Sequence, residues 1–147
     1  MFLDEKQKLK EALREQRVCL TTDTWISVQN LNYMCLITHF IDSDWKIHKR
    51  ILSFRLVENH KGETLRKVVE TCLLDCGIDK ILTITIDNVA SNSGLIYFIQ
   101  KKTRHRKVAI LGHKYLHERC NAYILNLIVR EGLVEMDETI VKVRKSM

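Results

Sequence analysis

Proline is absent from this chain of 147 residues, although average usage would give roughly seven. Its absence excludes Pro-rich linkers. Only five glycines occur, and they form no Gly-rich phosphate loop. No apolar run reaches the roughly 18–20 residues that a membrane span needs, and the charged N-terminus lacks the apolar segment of a secretory signal. We therefore expect a single folded domain without a membrane partner.

The cysteine count and the charge balance narrow the class of protein further. Five cysteines are an odd number, and with no export signal they indicate reduced thiols in an intracellular protein. Hydrophobic residues make up 46% of the chain, which is enough for a core. The 24 Lys and Arg exceed the 18 Asp and Glu, giving a net charge of +6. This excess favours an acidic partner such as nucleic acid.

Hydrophobic periodicity predicts an α/β protein. Three consecutive strand patterns are followed by alternating helices and strands, which indicates a mixed sheet with helices on its faces. The predicted helices cover 4–16, 65–76, 91–101 and 121 to the end, and the predicted strands cover 18–28, 33–41, 45–57, 80–87 and 115–119.

Three details of the strand patterns carry structural predictions. The segment 33–41 is apolar on nearly both faces, as expected for a strand in the middle of a covered sheet. In the segment 45–57 the apolar phase slips by one residue near Ile51 and Leu52, which predicts a β-bulge there. We expect Trp45, at the start of that segment, to lie in the core.

Two carboxylates stand inside or at the end of strand patterns. Asp23 lies within the first strand pattern and Asp87 ends the fourth. A carboxylate in a half-buried strand is costly unless it is paired, hydrogen-bonded or bound to a metal. If the two strands are neighbours, both residues could hold Mg²⁺ and act on a phosphodiester. The alternative is local: Asp87 could belong to a helix cap, and Asp23 could cap a bend.

Candidate nucleic-acid contacts come from a basic run and a tryptophan. The segment 101–107 (KKTRHRK) reads as a basic loop that could contact phosphates or serve as a nuclear import signal, although it could equally be a solvated loop. Trp25 shares a strand face with Asp23 and could stack on a base, although core packing is the simpler interpretation. The cations of the run are Lys101, Lys102, Arg104, Arg106 and Lys107.

A structural zinc site is the weakest of the candidates. Cys72 and Cys76 fall on the apolar stripe of a predicted helix, where cysteine behaves as a small hydrophobic residue. Together with His113, His117 and Cys120 they match no strong zinc-ligand spacing. We therefore expect no zinc in this chain.

Several segments together resemble the hAT superfamily of transposases. They include residues 20–25 (LTTDTW), 59–64 (NHKGET) and 85–92 (TIDNVASN), and the segment from Arg119 and Cys120 into 124–129 (ILNLIV). They also resemble plant BED zinc finger proteins of the ricesleeper and daysleeper type, which are domesticated transposases. The resemblance runs from about Leu9 to the end of the chain.

The resemblance implies an RNase H-like core, with residues 1–16 as a helical lead-in and residues 17–147 as a partial core. It places the family's first two catalytic, metal-binding acids at Asp23 and Asp87, with Mg²⁺ or Mn²⁺ as cofactor, and an active-site aromatic residue at Trp25. The family's third acid, a Glu, follows a large helical insertion and is not reached within this chain. Neither the BED zinc finger nor the dimerisation region is matched. Where the family has Cys-x-x-His, Cys120 is followed by Tyr123.

We therefore predict a nuclear, transposase-like chain that binds DNA and by itself lacks transposase activity. Homo-oligomerisation is expected through family regions that this chain does not contain. The alternatives are a non-catalytic protein-interaction module and a degenerate transposon remnant that folds poorly and self-associates.

Overall fold

The computed structural model of the chain describes residues 2–86, 89–104 and 113–146. Its helices and strands follow the predicted order closely. The helices are α1 (Phe2–Leu13), α2 (Gly62–Cys76), α3 (Val89–Arg104) and α4 (Asn121–Ser146), and the strands are β1 (Val18–Ile26), β2 (Asn32–Ile41), β3 (Ile47–Leu56), β4 (Ile81–Ile86) and β5 (His117–Arg119).

The strands form one mixed sheet in the order β3-β2-β1-β4-β5. β1, β2 and β3 make an antiparallel meander, while β4 pairs in parallel with β1 on one side and with β5 on the other. Antiparallel neighbours need only short turns, whereas each parallel pair needs a crossover, which α2 and α3 supply. The predicted α/β architecture with a mixed sheet is confirmed.

The hydrophobic core lies on one face of this sheet. Alternate residues of β1, β2 and β4 contact apolar side chains of α2 and α3, and Leu13 of α1 is also buried there. Fully buried members include Val18, Leu20, Leu36, Ile84, Leu73 and Ile99. In β4 the buried apolar residues are Ile81, Ile84 and Ile86, whereas Leu82, which the alternation assigns to that face, is only half-buried. The pairing of β1 with β4 is irregular at this point, because Val18 pairs with Ile81 and Cys19 pairs with Thr83. Leu82 is therefore skipped in the pairing, and the buried residues of β4 no longer alternate regularly.

Helix α2 ends where the sequence predicts. Its buried stripe contains Leu65, Val69 and Cys72, and Gly77 follows the last turn in the left-handed conformation with φ 68°. The Ile78 N–H donates to the Leu73 carbonyl at 2.9 Å, which closes the last turn of the helix. The reversed chain then enters β4 directly.

The predicted bulge is present in β3. Leu36 pairs with Ser53 and Ile37 pairs with Ile51, so Leu52 is the extra residue. Because one residue is inserted, the side chains of Ile51 and Phe54 point to the same face of the sheet even though their sequence parity differs. Leu52 packs against the core.

The prediction that Trp45 lies in the core is wrong. Trp45 is 87% exposed and has φ 60°, because it belongs to the turn between β2 and β3 and not to a strand. The Asp42 carboxylate accepts hydrogen bonds from the backbone N–H groups of Asp44 and Lys46, and the Trp45 N–H donates to the Asp42 carbonyl. These bonds keep residues 42–46 out of the sheet, so β3 begins only at Ile47.

The expectation of a sheet covered on both faces also needs correction. Within the described ranges, α1, α2 and α3 contribute to the single core cluster on one face. On the other face Ile41, Ile51 and Phe54 are 52–60% exposed. We call this second surface, which carries the side chains of Asp23, Trp25, Tyr33, Cys35 and Phe54 and their neighbours in register, the open face.

Two further properties concern the whole chain. All five cysteines are free thiols, as expected for a reduced protein. Among the helices in the part of the chain that is described, none is long and apolar enough to cross a membrane.

Candidate nucleic-acid interface

Strand alternation places Asp23 on the open face. In β1 the residues Val18, Leu20 and Thr22 are buried against the helices. Asp23 and Trp25 therefore project from the opposite side of the strand, where Asp23 is exposed and Trp25 is half-buried. Because alternate residues of a strand point to opposite faces, the strand that buries Val18, Leu20 and Thr22 exposes the carboxylate of Asp23 to solvent.

Asp23 has a nonionic neighbour on the adjacent strand. It lies opposite Cys35 of β2, and Cys35 is buried. Burial raises the pKa of the Cys35 thiol, and the charge of Asp23 raises this pKa further, while Lys49 has the opposite effect. Without a bound metal ion, the Cys35 thiol is therefore protonated at neutral pH.

The Asp23 carboxylate is available for a ligand. Within the described ranges it forms no hydrogen bond or ion pair, and its exposed position allows water and an ion to approach. Carboxylate oxygens with free coordination sites are the donors that Mg²⁺ and Mn²⁺ select. On chemistry and exposure, Asp23 fits a divalent cation.

The pairing of β1 with β4 bears on the second predicted acid. Thr21 of β1 lies opposite Thr85 of β4 in a parallel register, and Asp23 and Asp87 each follow two residues later in the sequence. Asp87 itself lies outside the described residues. The register thus confirms that the two strands are neighbours, which the two-acid hypothesis requires.

The neighbouring strand adds a carboxylate that the sequence did not single out. Glu118 of β5 pairs with Thr85, so it belongs to the same face as Thr21, and it is exposed. β5 has only three residues, too few for a period-two pattern to identify its faces. Only the register shows that Glu118 lies on this face.

Trp25 belongs to an aromatic cluster on the open face. Its ring stacks on that of its cross-strand partner Tyr33, with centroids 5.6 Å apart and planes at 14°. The Phe54 ring lies 5.6 Å from Trp25 and 5.7 Å from Tyr33. Trp25 is not among the core residues, so the simpler interpretation of core packing was wrong. The sequence did not identify Tyr33 and Phe54, because their proximity depends on strand pairing and on the bulge in β3.

The basic run is not simply a loop. Lys101, Lys102 and Arg104 form the last turn of α3, whereas Arg106 and Lys107 lie outside the described residues. Helix α3 has 16 residues and is about 24 Å long, so its last turn lies at the far end of the helix from its first. Because α3 starts shortly after β4 ends and runs back along the sheet, the structure does not bring these cations to Asp23.

A cleft of about 510 Å³ occupies the opposite end of the open face from Asp23. It is lined by residues at the start of β1, the end of β2 and the following turn, among them Cys19, His39, Ile41, Trp45 and Ile47. Of the predicted catalytic and nucleic-acid-binding residues that the structure describes, none lines this cleft. The cleft therefore does not belong to the candidate site.

The residues considered for zinc do not form a centre. Cys72 and Cys76 are buried in the core stripe of α2, and burial is the main cause that raises the pKa of the Cys76 thiol. In the described ranges there is no group of three or more His, Cys, Asp or Glu side chains placed to hold a metal ion.

Comparison with known proteins identifies the family to which this sequence belongs. The family described as ZBED1 RNase-like domain matches residues 21–115, a range that contains Asp23, Trp25, Asp87 and the basic run. The chain is 32% identical over 149 aligned residues to a "Putative AC transposase" of Zea mays, covering 98% of this chain and 18% of that protein.

Two BED zinc finger proteins show the same relationship. "Zinc finger BED domain-containing protein RICESLEEPER 2" of Oryza sativa subsp. japonica is 31% identical, with 100% of this chain and 21% of the relative covered. The corresponding protein DAYSLEEPER of Arabidopsis thaliana is 37% identical over 99 residues, with 64% of this chain and 14% of the relative covered. The chain thus spans about a fifth of the length of the first two of these relatives.

Proposed function

The chain belongs to the ZBED1 RNase-like domain family, together with hAT transposases and BED zinc finger proteins, and we propose from that premise that it is a DNA-binding transposase-like core. The observation that carries the proposal is the composition of the open face. An exposed carboxylate, Asp23, which has no ion pair with any described residue, lies on the same side of β1 as a cluster of three aromatic rings. A carboxylate that can hold a cation beside rings that can stack on bases suits a nucleic-acid strand.

In this proposal Asp23 and Asp87 hold one Mg²⁺ or Mn²⁺. The parallel pairing of Thr21 with Thr85 supports it, because it makes β1 and β4 neighbours with both acids two residues further on. When bound, such an ion supplies Lewis-acid stabilisation of charge on a phosphodiester. The protein side chains orient the ion and the strand: Asp23 binds the ion from the open face, and Trp25 restrains a base beside it.

We propose binding, and not transposition, as the activity of these 147 residues alone. Only two of the family's three acids are matched within them, at Asp23 and Asp87. Phosphoryl transfer needs both its attacking and its leaving oxygen stabilised, and two carboxylates provide fewer ligands for that purpose than the complete set. DNA bound at the open face should therefore be cut slowly or not at all.

The cations at the end of α3 have a separate part in the proposal. Lys101, Lys102 and Arg104, with Arg106 and Lys107 beyond them, supply positive charge away from Asp23 and contact phosphates without reading sequence. The same run would act as a nuclear import signal, and a nuclear location fits relatives named as transposases and BED zinc finger proteins. Binding that depends on these cations should weaken steeply as salt rises.

A thermal melt with Mn²⁺ tests the metal site. We expect millimolar Mn²⁺ to raise the melting temperature of the wild-type chain, because a ligand that binds only the folded state stabilises it. The variant Asp23→Asn should lose the shift. Asp44→Asn is the matched control, since Asp44 is also exposed but lies in the turn between β2 and β3, and it should keep the shift.

Two outcomes would contradict the proposed metal site. One is the absence of any Mn²⁺ shift in the wild-type chain, and the other is an equal shift in wild type and Asp23→Asn. DNA binding is measured separately by fluorescence anisotropy in the presence of EDTA, so that loss of the metal site and loss of the DNA-binding surface are distinguished.

A protein-interaction module is the second candidate function. It is favoured by the exposed apolar residues of β3, since Ile47, Ile51 and Leu56 are 55–75% exposed at the edge of the sheet. Exposed apolar surface of this kind is common at interaction sites. If the chain showed no affinity for DNA even at low salt concentration, this function would be favoured over the first.

A further inference from the structure

Strand β3 forms one edge of the sheet, and its outer side pairs with no other strand of the described residues. It has 10 residues, whereas β5 at the opposite edge has three. A long edge strand offers unpaired backbone N–H and C=O groups to another extended chain. Where such an edge binds a partner, main-chain hydrogen bonds provide affinity, and pockets for alternate side chains provide specificity. The outer edge of β3 has both features.

Hydrogen bonds at the two ends of β3 show which of its backbone groups point outward. The Asp42 N–H donates to the Lys46 carbonyl at 3.0 Å, and the Val57 N–H donates to the Asn32 carbonyl at 2.9 Å. Hydrogen-bonded and non-hydrogen-bonded residue pairs alternate along an antiparallel ladder. Counted from either end, the residues in non-hydrogen-bonded pairs, which direct their N–H and C=O groups away from β2, are Ile47, Lys49, Ile51, Phe54 and Leu56.

Strand β3 carries cations and no carboxylate. Its sequence contains Lys49, Arg50 and Arg55 but no Asp or Glu, and these three side chains form no ion pair with a carboxylate of the described residues. Arg50 and Arg55 lie opposite Thr38 and Met34 of β2, which are buried under the helices. Both arginines therefore lie on the helix-covered side of the sheet, where they are exposed at its edge.

A cavity of about 320 Å³ lies beside this edge, between β3 and the helices α1 and α2. Leu9, Leu52 and Cys72 give it an apolar wall, and Arg55 also lines it. The two carboxylates in its lining are each paired with a lysine of α1. Leu52 is the extra residue of the bulge, so along β3 the cavity lies between Arg50 and Arg55. A strand added at this edge can place an apolar side chain in the cavity and a carboxylate near each arginine.

We propose that the outer edge of β3 binds an extended, acidic segment of a partner protein as an additional strand. The backbone of this segment pairs with the outward N–H and C=O groups of β3. On the helix-covered side, one apolar side chain enters the cavity, and acidic side chains next to it contact Arg50 and Arg55. On the open face, further apolar side chains cover Ile47 and Ile51, which are 75% and 60% exposed. The inference names a partner for the second candidate function and does not depend on DNA binding.

Charge and backbone chemistry distinguish this partner from two others. A second β3 strand paired along the same edge would bring like charges together, which destabilises strand pairing. A nucleic-acid strand would be attracted to the cations, but its sugar–phosphate backbone has no N–H groups to donate to the outward carbonyls, and it has no apolar side chain for the cavity. An acidic polypeptide satisfies the backbone groups, the cations and the cavity together.

Fluorescence anisotropy with a labelled peptide of sequence EVEVLVEVE, capped at both ends, tests the recognition. In an extended chain its leucine and glutamates lie on one side and its valines on the other, as the edge requires. The wild-type chain should bind it, and Arg50→Glu should weaken binding about tenfold or more, because like charges are then juxtaposed. Arg130→Glu, the same change at an exposed position of α4, is the matched control and should bind like wild type. Near-UV circular dichroism checks that both variants keep the wild-type fold.

N-methylated peptides test whether the backbone is recognised. Neighbouring residues of an extended strand direct their N–H groups to opposite edges, so one peptide is methylated on the amides of its valines and another on the alternate amides. One of the two should lose binding, because its N–H groups that face β3 are blocked, and the other should retain it. This comparison needs no change in the protein, so it does not depend on how a variant folds.

Any of three results would overturn the proposal. These are no binding of the peptide by the wild-type chain, equal weakening by Arg50→Glu and Arg130→Glu, and equal affinities of the two methylated peptides. A labelled single-stranded oligonucleotide is measured in parallel. If it binds and the peptide does not, this inference fails while the DNA-binding proposal stands, and if only the peptide binds, the reverse holds.

Discussion

The two tryptophans show that the position of a side chain, in the core or on the surface, depends on its surroundings in the fold. Sequence pattern favoured a core position for both. Trp45 is 87% exposed in a turn, and Trp25 stacks on Tyr33 on the open face. Hydrophobicity predicts that a large ring will find apolar contacts, but it does not specify whether those contacts lie in the core or on a surface.

Trp25 and Trp45 therefore provide a matched pair for DNA binding. We expect Trp25→Ala to weaken the affinity for single-stranded DNA by about 1–3 kcal/mol, because a stacking platform beside Asp23 is lost. Trp45→Ala should leave the affinity close to that of wild type. Fluorescence anisotropy with a labelled oligonucleotide measures both. Equal losses in the two variants, or no loss in either, would argue against the open face as the binding surface.

Among the residues of the candidate site, the alternation of β1 predicts that Asp23 and Trp25 share a face, and the structure confirms it. The contributions of Tyr33, Phe54 and Glu118 were not predictable, because each depends on the register between strands that are distant in sequence. A single strand pattern contains no information about register.

At the scale of elements, local chemistry decides where the segments begin and end. The apolar stripe of α2 predicted a helix that ends at residue 76, and the structure places the end there. The bulge in β3 was also predictable, because an inserted residue changes the parity of the apolar positions, and this change can be read in the sequence near Ile51 and Leu52. The irregular pairing of β4 with β1 near Leu82 could not be predicted from the sequence of β4 alone.

Two glycines test the helix-capping account. Gly77→Ala should destabilise the chain by about 1 kcal/mol, because a side chain at φ 68° is strained even though a Cβ there would contact nothing within 4 Å. Gly94→Ala is the control. It lies within α3, a Cβ there would also contact nothing within 4 Å, and alanine should stabilise the helix by about 0.5–1 kcal/mol.

Urea unfolding of the two variants measures these changes. The opposite signs are the essential result. If Gly77→Ala proved neutral, the left-handed position after α2 would not constrain the end of the helix in solution.

At the scale of the whole molecule, the sheet has one face in the core and one that the described helices leave open. Isoleucines on the two faces test this difference. Ile84→Ala removes a side chain that is 0% exposed and should cost about 2–5 kcal/mol, because it leaves a cavity as well as losing apolar burial. Ile51→Ala, at 60% exposure, should cost less than about 1 kcal/mol.

The free energy of unfolding in urea again provides the measurement, at a protein concentration where association is absent. A large cost for Ile51→Ala would show that another segment or another copy covers the open face in solution. That result would contradict the arrangement of one covered and one exposed face.

By itself the sequence determined the order of the elements, the α/β class, the end of α2, the bulge in β3 and the family. These properties follow from local periodicity, turn chemistry and motif content, which a single chain displays directly. Only the tertiary structure decided that the described helices cover one face of β2, although β2 is apolar on nearly both faces. It also decided that Trp25 joins Tyr33 and Phe54 beside Asp23, and that the cations of α3 lie away from them. The physical reason is that strand pairing and the side of the sheet on which a helix packs join residues distant in sequence, and local patterns do not record those contacts.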